Sequence, residues 1–129
     1  MSGWIYISIM RQKKVLVVED NPLNARLFKD VLLSFHCRVF IATKASEAFH
    51  ILKTKTPDLI LMDVQLPGVS GIELMRKIRW MPRFKHSKII AVSAFVMTEE
   101  IRYLLFAGFD GFLPKPVDIY ELKKLVSTL

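Results

Sequence analysis

Five unbroken apolar runs, each followed by a stretch of helical periodicity, constrain this chain more than any other feature. The runs are VLVV (15–18), RVFIA (38–42), LILM (59–62), IIAV (89–92) and a short FLP after Gly111. None alternates apolar with polar residues, as a half-exposed strand would. Continuous apolar strands are what a parallel sheet needs when helices cover both of its faces.

Helical patterns fill the gaps. Leu23, Leu27, Val31 and Phe35 recur every fourth residue, which predicts a helix from Pro22 to Phe35 with those residues as its apolar stripe. Asn21 is its N-cap and Pro22 its first helical position. From Lys44 to Lys55, Ala45, Ala48, Phe49 and Leu52 form a second stripe, capped by Thr43. Ile72, Met75 and Ile78 mark a third helix from about Ser70. A fourth starts at Thr98, with Glu99 and Glu100 in the turn where the helix dipole favours acids. The fifth opens at Asp118 with Glu121 three residues on, as in a capping box, and carries Ile119, Leu122, Val126 and Leu129. Strand then helix, repeated with right-handed crossovers, gives a doubly wound α/β sandwich. At 129 residues it is one domain, without internal repeat or linker.

Composition excludes some functions. The single cysteine, Cys37, rules out an intramolecular disulfide and a cysteine-built zinc site, and fits a reducing cytoplasm. The net charge of +7 gathers in Arg76, Lys77, Arg79, Arg83, Lys85 and Lys88, a stretch with no acid. Such a run attracts nucleic acid or an acidic partner, or is simply a solvated face; the last reading is favoured, and direct DNA binding is not expected. The opening MSGWIYISI is too short to span a membrane and has no basic segment before it. It reads as a dispensable tail or misassigned start, with an added strand or association segment as the competing reading.

The chemistry sits where the apolar runs stop. Glu19 and Asp20 follow VLVV, Asp63 follows LILM, Ser93 follows IIAV, and Lys115 lies in PKP. In an open α/β sheet, ligands bind beyond the carboxyl ends of the strands. Two carboxylates about 4 Å apart repel by on the order of 4 kcal/mol at an effective dielectric near 20. Magnesium offsets that repulsion and suits a site of carboxylates, waters and a phosphate. Lys115 adds a point charge for a phosphoryl oxygen, Ser93 a hydroxyl donor, and Asp63 a nucleophile able to form an acyl phosphate. Each residue has a bland role as well: Asp20 a helix cap, Asp63 a loop-starting acid, Lys115 a solvated side chain, Ser93 a strand-end hydroxyl. Four such accidents would all have to fall on one sheet edge.

VLVVEDNPLN, PDLILMDVQLPGVSG, IIAVSA and GFDGFLPKP together resemble the receiver domain of bacterial two-component response regulators, over nearly everything from Lys13 to Leu129. The resemblance implies a flavodoxin-like (CheY-like) five-stranded parallel sheet of order 2-1-3-4-5 with five helices. Residues 1–12 then form an N-terminal extension and 13–129 the receiver domain. It further implies that Asp63 takes a phosphoryl group from a histidine kinase or phosphotransfer protein. Glu19, Asp20, Asp63 and the backbone carbonyl of Gln65 would bind Mg2+. Ser93 and Lys115 would contact phosphoryl oxygens, the Lys115–Pro116 bond would be cis, and Phe112 would be an aromatic switch following Ser93.

Two positions depart from the common pattern: Glu19 stands where aspartate is usual, and Gln65 where methionine is frequent, which leaves the phosphoryl lifetime open. VEDNPLN, LMDVQLP and VSAFVM resemble the wording of DivK-type single-domain receivers, which regulate cell-cycle kinases by protein contacts. Such a protein would be a monomer or weak dimer, a phosphoacceptor with slow self-dephosphorylation and not an enzyme. Its output would leave through the fourth helix, fifth strand and fifth helix, with Phe112 and either Phe109 or Tyr120 on that face. A receiver module cut from a hybrid kinase shares much of this wording. An aspartate-nucleophile phosphatase would need a second aspartate where Gln65 stands, and a flavodoxin would need a Ser/Thr/Gly-rich loop in place of EDNPLN.

Overall fold

The computed structural model describes residues 12–94 and 97–129. The expectations for residues 1–9 lie outside the described residues. Within them, five parallel strands make one sheet: β1 (Lys14–Val18), β2 (Arg38–Ala42), β3 (Leu59–Asp63), β4 (Lys88–Ser93) and β5 (Gly111–Pro114), in the order β2-β1-β3-β4-β5. Five α-helices connect and cover them: α1 (Pro22–Ser34), α2 (Ala45–Leu52), α3 (Gly71–Arg79), α4 (Thr98–Ala107) and α5 (Ile119–Ser127). A short 3-10 turn, Pro82–Phe84, follows α3.

Side chains alternate across a strand, so each apolar run feeds two cores. Leu16, Val18, Ile60, Met62, Ile89 and Ala91 pack on one face with Ala48, Leu52, Leu74, Met75, Ile78 and Leu104. Val15, Val17, Leu59, Leu61, Ile90 and Val92 pack on the other with Phe28, Leu32 and Leu122. Burial on both faces removes any reason for polar alternation, and each fully buried Leu or Ile contributes about 1.5–3 kcal/mol. The register pairs Val18 with Met62, Asp63 with Val92 and Ser93 with Pro114, so the strands end nearly level.

Three local expectations are corrected. The inward face of α1 is Ala25, Phe28 and Leu32, whereas Leu23 is 80% and Leu27 54% exposed. A four-residue repeat drifts by about 40° per step on a helix of 3.6 residues per turn, so the Leu23–Phe35 series does not keep to one face: it starts in solvent and only Val31 and Phe35 pack against the core. The 25, 28, 32 spacing stays within one face. In α2 the N-cap position is Lys44, one residue beyond Thr43, and makes no side-chain capping bond. Thr43 instead donates its N–H to Glu47 Oε1 at 2.7 Å, and its hydroxyl meets the same oxygen. Phe109 is buried at 3% exposure and belongs to the core, not to an output face. Its N–H donates to Leu104 O and that of Gly108 to Leu105 O, a Schellman turn that folds the chain back under α4.

The other caps follow expectation. Asn21 accepts from the N–H groups of Leu23 and Asn24, and Asp118 from those of Tyr120 and Glu121. Ile119, at the head of the fifth stripe, is 53% exposed, and Leu122 is the buried residue of α5. Among the described residues no helix is long and apolar enough to cross a membrane.

Candidate functional site

The level strand ends collect the polar residues on one edge. Glu19 directly follows β1, Asp63 closes β3, Ser93 closes β4, and Lys115 directly follows β5. Each is held by main-chain bonds. Glu19 N–H donates to Ala42 O at 2.9 Å, and Val64 N–H to Val92 O at 3.1 Å. Lys115 N–H donates to Ser93 O at 2.8 Å, so the ends of β4 and β5 are joined. The Lys115–Pro116 bond is cis, as expected.

Glu19, Asp20 and Asp63 each offer a carboxylate oxygen, and these oxygens lie within 4.8 Å of one another. Glu19 and Asp63 are buried, at 2% and 5% exposure, while Asp20 faces solvent. The Lys115 ammonium is 2.9 Å from Glu19 Oε1 and 2.9 Å from Asp63 Oδ2. Asp63 Oδ1 accepts the N–H of Gln65 at 2.9 Å. Both oxygens of Asp63 are therefore oriented, one by backbone and one by Lys115. Glu19 differs: it is ion-paired with Lys115, yet neither of its oxygens accepts a well-directed hydrogen bond.

Burial, and then the neighbouring Asp63, push the Glu19 carboxyl up to about 7, against a smaller opposing pull from Lys115. Burial alone would lower Lys115, but its contacts with Glu19 and Asp63 outweigh that and raise it. Three carboxylates with one ammonium leave the cluster short of positive charge. A buried carboxylate without adequate hydrogen-bond donors is costly, and an all-oxygen donor set suits a hard divalent cation. The residues present therefore fit a magnesium-type ion.

Ser93 is buried at 4% exposure at the end of β4. Phe112, in β5, pairs in register with Ala91, and its ring is only partly buried against the core. Gln65 has an exposed side chain. The structure thus brings Glu19, Asp20, Asp63 and Lys115 into one constellation, with Ser93 and Phe112 on the adjoining strands.

Two contributors had no sequence signal of their own. The Gln65 N–H acts through the backbone, which residue identity does not report. Gly71 opens α3, where a Cβ would stand 2.3 Å from Asp63 O and 2.9 Å from Val64 Cα. Only a residue without a side chain lets α3 start against the end of β3; the one available hint was a glycine directly after the N-cap Ser70. The larger cleft, about 360 Å³, is apolar and lies between α1 and α5, lined by Leu27, Val31 and Ile119 with Lys115 at one end. It adjoins the acidic cluster only through Lys115, and none of the three carboxylates lines it.

The family model of the response regulator receiver domain matches residues 15–127. The polar-differentiation response regulator DivK of Brucella anthropi is 35% identical over 107 residues, 83% of this chain and 87% of that protein. Among solved structures, the receiver domain of a sensor histidine kinase from Pseudomonas aeruginosa PAO1, with a magnesium ion coordinated in its active-site cleft, is 30% identical. It aligns with a TM-score of 0.82 over 91% of this chain and 96% of that one. The chemotaxis response regulator CheY4 of Vibrio cholerae, at 24% identity, 91% and 98% coverage and a TM-score of 0.84, shares the fold.

Proposed function

The chain belongs to the response regulator receiver domain family, and we propose that it is a single-domain response regulator of a two-component phosphorelay, phosphorylated on Asp63. The observation that carries this reading is the doubly oriented Asp63 carboxylate, fixed by Gln65 N–H and Lys115 Nζ with two more acids beside it.

A carboxylate oxygen of Asp63 attacks the phosphorus of a phosphohistidine on a kinase or phosphotransfer protein. The P–O bond forms as the P–N bond breaks, and the imidazole nitrogen leaves with the electron pair and takes up a proton. Glu19, Asp20, Asp63 and the backbone carbonyl of Gln65 would hold a magnesium ion, which when bound neutralises the carboxylates and the phosphoryl oxygens. Lys115 turns its ammonium from Asp63 to a phosphoryl oxygen, and the Ser93 hydroxyl donates to another. Pulling on Ser93 biases the ring of Phe112 between two arrangements, and a partner binds one of them better. The partner surface is α4, β5 and α5, where Tyr103, Phe106 and Tyr120 are 56%, 93% and 66% exposed. The protein is cytoplasmic, a monomer or weak dimer, loses its phosphoryl group slowly and makes no DNA contact.

Likeness to a polar-differentiation regulator supports a cell-fate role. Likeness to a receiver domain of a histidine kinase supports a second reading, a module of a larger hybrid protein; the mass of the native gene product separates the two. The central test is labelling by acetyl phosphate with and without magnesium. One acid-labile phosphate per chain should appear with the metal and vanish in Asp63→Asn. Undiminished labelling of that variant would place the acceptor elsewhere.

A further inference from the structure

The six cations from Arg76 to Lys88 have no acid among them in sequence, and the fold treats them unequally. Arg79 is paired with Asp110 and donates to Ser87 O. Arg83 donates to Thr56 and to Lys53 O, and Lys88 to Thr128. Arg76, Lys77 and Lys85 are exposed and make no ion pair among the described residues.

Arg76 borders a cleft of about 300 Å³ between the ends of α3 and α4, with Met75, Arg79, Trp80, Ala107 and Gly108 as its other walls. Trp80 is 85% exposed. On α4, Phe106 is 93% and Tyr103 56% exposed, and Tyr103 lies one turn before Ala107 on the same side of the helix. Ala107 and Gly108 are its partly exposed floor, with Met75 fully buried against the glycine. A Cβ built on Gly108, whose φ is +130°, would meet Met75 Sδ at 3.2 Å and Cε at 3.3 Å. The glycine thus packs directly on the methionine.

An exposed indole beside an unpaired guanidinium has the composition of a protein-recognition hot spot. A flat bilayer is better met by a protruding apolar surface, and a phosphate backbone by a track of cations without an apolar seat. A concave seat suits one inserted side chain, and the unmatched positive rim selects for acids around it. We infer that the α3–α4 cleft docks an acidic amphipathic segment of another protein. One apolar side chain of that segment rests against Trp80 and Ala107, and its carboxylates meet Arg76 and Lys77. The surface uses no residue of the acidic cluster.

The test uses the full chain carrying Trp4→Phe, which leaves Trp80 as its one tryptophan. The probe is a synthetic helical peptide with leucines along one face and glutamates along the other. Trp80 emission should change saturably, and affinity should fall about tenfold from low to about 0.3 M salt as the charges are screened. Arg76→Glu with Lys77→Glu should weaken binding by more than about tenfold while the circular dichroism spectrum and thermal midpoint stay put. Asp63→Asn should bind the peptide as the parent does, so that failure of phosphorylation and failure of docking are separate results. Equal affinity of the charge-reversed variant, no saturable change, or preferential binding to phosphatidylglycerol vesicles or duplex DNA would overturn the inference.

Discussion

Lys115 and Glu19, which come from opposite halves of the chain, meet at 2.9 Å as an ion pair in which the carboxylate is almost wholly buried. The same ammonium is equally close to Asp63, so one cation serves two acids. That shortage of positive charge governs how the site responds to substitution, pH and metal.

Glu19→Gln should stabilise the metal-free protein near pH 8, because it removes a charge that burial and Asp63 both disfavour. A gain of about 1–2 kcal/mol in urea unfolding is expected. Magnesium affinity should fall by at least about tenfold for loss of a ligand carboxylate. A variant both weaker in folding and unchanged in metal binding would contradict the assigned role.

Stability of the metal-free protein should depend on pH in a definite direction. Glu19 releases its proton near 4.5 when unfolded and at about 7 when folded. Between those values the folded state holds more protons, so stability is greatest toward the acidic side and declines as pH rises from 4.5 through 7. The decline attributable to Glu19 is on the order of 2 kcal/mol, and saturating magnesium should flatten it. Urea midpoints at pH 5.5 and 8, taken with chelator and with magnesium, check this; a chelator curve that rises toward pH 8 would refute it.

Gly71→Ala should cost more than about 2 kcal/mol, since the added methyl has to displace backbone and not a mobile side chain. Because the collision is with Asp63 O, acetyl phosphate labelling should drop as well. A variant with parental stability and labelling would show that α3 does not need its close seat.

Leu23→Lys should change stability by no more than about 0.5 kcal/mol, whereas Leu32→Ala should cost about 2–5 kcal/mol. Both are leucines of α1, at 80% and 0% exposure. Chemical denaturation of the two variants distinguishes the observed inward face from the every-fourth-residue stripe.

The strands were legible because burial on both sides leaves a run of apolar letters that marks each strand to within a residue at either end, as VLVV (15–18) shows against Lys14–Val18. The placement of Glu19, Asp63, Ser93 and Lys115 followed from those ends, since parallel strands all point the same way. The face of α1 was not legible: its helix carries apolar residues on both sides, and Leu27 and Phe28 are equally good candidates until packing chooses between them. Phe109 was misread because its burial depends on the positive φ of Gly108, a backbone turn that hydrophobicity does not encode. The Gln65 amide and the seat at Gly71 act through atoms common to all residues.

The main-chain bond from Lys115 N–H to Ser93 O has a mechanical corollary. The ammonium and the hydroxyl sit on different strands, yet they ride on one stiff crosspiece. A substitution that slides the outermost strand along its neighbour would therefore have to break that crosspiece, drawing the ammonium away from the hydroxyl and changing how wide the pocket gapes.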